Sequence, residues 1–113
     1  MMEDIRFGKT VLGKQITATL LDTGAGISVL IEGGDKGHIG AVAIKQPGKE
    51  LISHQFETHR EGIVAERWAD ALCSCLGQPV VVSAGVHYDN ITKEQIEIVL
   101  NGLEEMLQEI MKC

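Results

Sequence analysis

Pro79-Val80-Val81-Val82-Ser83-Ala84-Gly85-Val86-His87-Tyr88-Asp89-Asn90-Ile91-Thr92-Lys93-Glu94-Gln95 joins a strand signal to a helix start. Consecutive valines behind the stop signals Gly77 and Pro79 read as a buried strand over Pro79 to Val86. Thr92-Lys93-Glu94-Gln95 is a capping box: the threonine hydroxyl can accept the Gln95 amide while Gln95 reaches back. Ile96, Val99/Leu100, Leu103, Met106/Leu107 and Ile110 then recur at helical spacing, so the last segment is a helix with one apolar stripe. Upstream, Thr58-His59-Arg60-Glu61 is a second capping box. The stripe Val64, Trp68, Ala71/Leu72, Cys75 follows it. This half therefore reads helix, strand, helix.

The first half reads as strands. Ile5 and Phe7 alternate with polar neighbours, and Val11 to Leu21 is a β-rich run that Gly13 interrupts, as at a bulge. Asp22-Thr23-Gly24-Ala25-Gly26 and Gly33-Gly34-Asp35-Lys36-Gly37 are turn chemistry around the short apolar strand Ile27 to Ile31. His38 to Lys45 is a further strand, closed by Gln46-Pro47-Gly48. The expected fold class is α+β: residues 1–113 form a single α+β domain of order ββββαβα. Its mainly antiparallel sheet of about five to six strands carries two helices packed on one face. A sheet covered on one face leaves its other face or an edge to protect, which points to a homodimer.

Composition narrows the function. The 113 residues are 44% hydrophobic and 23% charged, as in globular domains and unlike disordered chains. No apolar run reaches the roughly 20 residues of a membrane span. Met1-Met2-Glu3-Asp4-Ile5-Arg6 is no signal peptide, so a cytoplasmic location is expected. A net charge of −6 is a poor match for phosphate backbones, which argues against nucleic acid. Three cysteines, Cys73, Cys75 and Cys113, argue against a disulfide framework.

Leu20-Leu21-Asp22-Thr23-Gly24-Ala25 resembles the catalytic loop of retroviral-type aspartic proteases, in which two carboxylates share a proton. Two long helices conflict with the nearly all-strand fold of those enzymes. A loop in which Asp22 and Thr23 bond local amides is therefore preferred over a catalytic Asp22. Gly33 to Gly40 lacks the Gly-Lys-Ser/Thr of a P-loop and the strand-to-helix context of a dinucleotide fingerprint. It reads as a hairpin turn or as a small-residue surface whose amides can approach an anion. His38, His54, His59 and His87 do not have the spacing of a zinc site, and no metal is expected. All four lie in or beside glycine-rich or capping segments, where polar groups often converge. The helix starts at Thr58 and Thr92 offer amides to a phosphate, with simple capping as the alternative.

Gly34-Asp35-Lys36-Gly37-His38-Ile39-Gly40-Ala41-Val42, then His59-Arg60-Glu61, then Ala84-Gly85-Val86-His87-Tyr88-Asp89-Asn90-Ile91-Thr92-Lys93 resemble, in that order, the prenylated-flavin chaperone family. These are the small accessory subunits of gallate-type, UbiD-type decarboxylases, with a domain resembling proteasome assembly chaperones. The resemblance runs from about Val11 to Leu107. It implies a non-enzymatic protein that binds or delivers prenylated FMN for maturation or reactivation of a UbiD-type decarboxylase. By motif position, Gly34, Asp35, Gly37, His38, His59, Gly85 and His87 are the expected cofactor-binding residues, with Val86, Tyr88 and Trp68 as a possible apolar wall. A structural assembly chaperone without a small ligand is the alternative.

Overall fold

The computed structural model describes residues 3–56 and 61–112. Thr58, His59, Arg60 and Cys113 lie outside the described residues, so the first capping box and one expected site histidine do too. The elements run β1 (Glu3–Val11), β2 (Lys14–Asp22), β3 (Ile27–Gly34), β4 (Ala41–Lys45), β5 (Ile52–Gln55), α1 (Glu61–Leu76), β6 (Val80–His87) and α2 (Lys93–Ile110). One six-stranded sheet has the order β1-β2-β3-β6-β4-β5. The α+β class and the order of elements match expectation, with β5 added as a short edge strand. No helix among the described residues is long and apolar enough to cross a membrane.

β1 and β2 form a hairpin closed by Leu12 and Gly13, both at positive φ (52° and 77°). Val11 faces Lys14 across it. This is a two-residue turn of the kind whose twist suits a hairpin, not the bulge expected at Gly13. The second hairpin turns at Thr23–Gly26. β6 then inserts between β3, which it meets in parallel, and β4, which it meets antiparallel.

Alternation along the strands decides what is buried. Ile16, Ala18 and Leu20 of β2, Ile27, Val29 and Ile31 of β3, Ala41 and Ala43 of β4, and Val80, Val82 and Ala84 of β6 all face the helices and are buried. The helices complete this layer with Val64, Ala65, Trp68, Ala69, Leu72 and Cys73 from α1 and Val99, Leu103, Met106 and Leu107 from α2. Val81 on the other face is 37% exposed. The consecutive valines therefore mark a strand covered on one face only. Gly77, at φ 67°, ends α1 and donates its N–H to the Cys73 carbonyl (2.8 Å). The Thr92–Gln95 box forms as expected, with both bonds made (2.8 and 3.2 Å). Cys73 is a buried free thiol, whereas Cys75, against expectation, is disulfide-bonded.

Because β6 separates β3 from β4, the connection over residues 35–40 is no hairpin turn. It crosses the end of β6 on the face away from the helices. Two glycines make the crossing possible. A Cβ on Gly85 would overlap the His38 carbonyl, and a Cβ on Gly34 (φ 86°) would overlap the His87 backbone. Backbone cannot yield as a flexible side chain can. Gly85→Ala is expected to cost about 3 kcal/mol, a severe overpacking loss. Gly13→Ala, strained only by its positive φ with open space around it, is expected to cost about 1–2 kcal/mol. Urea denaturation of the two variants against the parent checks this order.

Candidate ligand-binding site

Three segments meet where β6 ends: the β1–β2 hairpin, the crossing loop 35–40, and the link from β6 to α2. Asp35 ties them together. Its backbone N–H donates to the His87 carbonyl (2.7 Å). Its Oδ2 accepts the Asp89 N–H (2.7 Å), and its Oδ1 lies 3.4 Å from Lys14 Nζ. The Asp89 amide holds the Asp35 carboxyl below its ordinary value, and Lys14 and His87 add to the effect.

Two imidazoles sit on this frame. His87 Nε2 is 2.8 Å from Asp89 Oδ1. The two-residue spacing of an extended chain puts both side chains on one side. The His38 ring meets His87 edge to face, with centroids 5.7 Å apart and planes at 86°. His38 reaches this position because its own carbonyl rests on Gly85. In a chain of net charge −6, this corner gathers one ammonium and two imidazoles beside carboxylates already engaged by local donors.

The structure thus brings His38, His87 and Asp35 together. Gly34 and Gly85 adjoin them, but their role in the described chain is to let two backbones cross. Gly37 lies in the exposed loop near the Glu32 carboxylate. His59 lies outside the described residues. His54 is on β5, its ring against Phe56 at 4.7 Å. Trp68 is 1% exposed in the core between helices and sheet, so it is no wall of a site at this corner. Tyr88 is half-buried and donates its hydroxyl to the Val11 carbonyl (2.7 Å). Burial raises its pKa.

Two residues at this end were not read from the sequence. Lys14 comes from the hairpin, whose tight turn aims the start of β2 at Asp35. Phe56 donates its N–H to the Gly40 carbonyl (2.8 Å). Gly40 in turn donates to Ala84, so Phe56 stands close to the rung of Gly85, 42% exposed. No sequence signal marked it, because the strand before it is exposed throughout and shows no alternation.

Asp22 does what the preferred reading expected. Its Oδ1 accepts the Gly24 N–H (2.8 Å), and Thr23 Oγ1 donates to the Gly26 carbonyl (3.0 Å). Among the described residues no group of three His, Cys, Asp or Glu is placed to hold a metal. Three clefts bounded by described residues lie elsewhere: beside the β4–β5 turn, between β1 and α2, and between α1 and α2. At the imidazole corner both rings are half-buried.

The fold is one six-stranded sheet with two helices on one face and the 35–40 crossing at the end of the other. A chain of a yeast 20S proteasome assembly chaperone complex is similar in fold. The TM-score is 0.60 at 11% identity, covering 96% of this chain and 94% of that one. Residues 10–113 match the family described as prenylated flavin chaperone LpdD-like domain, and the chain belongs to that family. It is 26% identical over 104 residues to protein LpdD of Lactiplantibacillus plantarum (strain ATCC BAA-793 / NCIMB 8826 / WCFS1), covering 88% of this chain and 76% of that protein.

A carboxyl held below its ordinary pKa stabilises the fold above the unfolded value of 3.8. That contribution is lost as pH falls through the lower folded value. Asp35→Ala is therefore expected to lower the urea midpoint near neutral pH. The gap to the parent should close as pH is taken below 3.8. Paired denaturation curves across that range measure it. The Arg67–Glu104 pair, which also lowers a carboxyl pKa, is common to both proteins and cancels.

Proposed function

We propose that this protein is a non-enzymatic accessory chaperone that binds or delivers prenylated FMN for the maturation or reactivation of a UbiD-type decarboxylase. It acts in the cytoplasm. Membership of the prenylated flavin chaperone family supports the reading. The observation that carries it to particular residues is the meeting of His38, His87 and Lys14 on the Asp35 frame. An FMN-sized ligand has an anionic phosphate and a flat ring system. Lys14 and the imidazole N–H groups suit the phosphate and the ring carbonyls. Phe56 offers a face on which a flat ring can pack. The chain has one Trp, one Tyr and two Phe, and Trp68 is inside the core, so the stacking surface is small. Such a surface fits transient handling of the cofactor before it passes to the enzyme.

A second reading, an assembly chaperone with no small ligand, draws on one observation: the likeness in fold to a chain of a proteasome assembly chaperone complex.

Titrating the protein with prenylated FMN while following flavin absorbance separates the two. The expected result is saturable binding that weakens about tenfold or more in the His38→Ala, His87→Ala double variant, the effect of removing charge-assisted donors. No spectral change and no co-elution, with undiminished capture of the decarboxylase by the double variant, would establish the second reading instead.

A further inference from the structure

We infer that the outer edge of β5 takes up an extended segment of a partner protein by strand addition, which gives the six-stranded sheet one strand more. β5 is paired on one side only, with β4. The Phe56 N–H turns inward to the Gly40 carbonyl. Backbone groups alternate in direction along an antiparallel strand, so those of Ile52 and His54 turn inward as well. Ser53 and Gln55 therefore turn their N–H and C=O groups outward. Among the described residues no strand meets them there.

The two edges of the sheet are not alike. β1, the other edge, carries Asp4, Arg6 and Lys9. Charged side chains keep an edge strand from pairing with other chains. Ile52-Ser53-His54-Gln55-Phe56 contains no Lys, Arg, Asp or Glu. These residues are exposed throughout, Ile52 at 64% and Phe56 at 42%. The edge at β5 has no such guard.

The occupant follows from what the edge offers. Outward N–H and C=O groups in a row are matched along their length by another extended backbone. Ile52, His54 and Phe56 share one side of the strand, with the rings of the last two 4.7 Å apart. The incoming segment then has apolar residues at alternate positions and no proline where it bonds to β5. A strand of five residues is about 17 Å long. One such strip is far short of the roughly 800 Å² per partner of a stable specific complex. A second copy held here alone would not stay bound, whereas a partner that is held and then released fits the strip. Taking that partner to be the decarboxylase rests on the function proposed above; the strand addition itself does not.

Ser53→Pro tests it against Ser53→Ala. Both lose the hydroxyl that donates to Glu66, but only proline removes the outward N–H. Pairing with β4 survives, because that N–H does not point to β4. The probe is a purified apo UbiD-type decarboxylase immobilised for biolayer interferometry. Parent and Ser53→Ala are expected to be captured alike, and Ser53→Pro about tenfold more weakly or worse, with an unchanged circular dichroism spectrum. Should Ser53→Pro fail to fold, amide hydrogen exchange of the parent decides. The Ser53 and Gln55 amides are expected to gain protection in the complex and those of β1 to gain none. Undiminished capture of folded Ser53→Pro, or no gain in protection, would overturn the inference and leave the chaperone reading in place. A parent that is not captured would overturn it too, and prenylated FMN binding measured alongside shows whether the chaperone reading falls with it. Self-association that Ser53→Pro alone abolishes, with capture untouched, would overturn it and assign the edge to a second copy.

Discussion

The passage of residues 35–40 over the end of β6 is the constraint on which the arrangement rests. β6 lies between β3 and β4, so the chain that links those two must cross it. The crossing succeeds only because positions 34 and 85 lack a Cβ. Once made, it sets His38 above the strand that carries His87 and brings Asp35 within bonding distance of the next link. Topology, close backbone approach and the imidazole pair are one feature seen at three scales. Gly34 and Gly85, marked in the sequence as cofactor-binding candidates, are also the condition for the two imidazoles to meet.

What could be read in advance depended on the range of the interaction. Thr92 and Gln95 are three residues apart, and their mutual bonding is legible in any four-residue window. The helical stripes are similarly local, although the first is centred on Val64, Ala65, Trp68, Ala69, Leu72 and Cys73, rotated from the expected Ala71 and Cys75. The turn at Leu12 and Gly13 was masked because leucine seldom takes positive φ. β5 escaped because four residues, all exposed, carry no alternation to detect. The insertion of β6 could not be found in the chain at all. Val80 to Val82 is apolar whether one face or two are covered, and strand order is set by pairings across scores of residues.

The site follows the same rule. His38, His87 and Asp35 were marked by their glycine-rich setting. Lys14 and Phe56 were not, since each arrives through a hairpin or an edge strand from a distant part of the sequence. Trp68, the largest side chain and so the natural candidate for a ring-stacking wall, is buried where α1 meets the sheet. With so few aromatic residues, giving the only tryptophan to the core leaves little ring surface for recognition.

The late position of β6 in the chain bears on how the protein is made. When residues up to Gln55 have left the ribosome, β3 and β4 each still present a bare edge to the space between them, and neither can pair with the other across the gap. The missing strand is synthesised only after α1. Until then the β2–β3 and β4–β5 pairs each end in an unpaired edge, and only the arrival of β6 joins them into one sheet, so the sheet closes through pairings that span much of the chain.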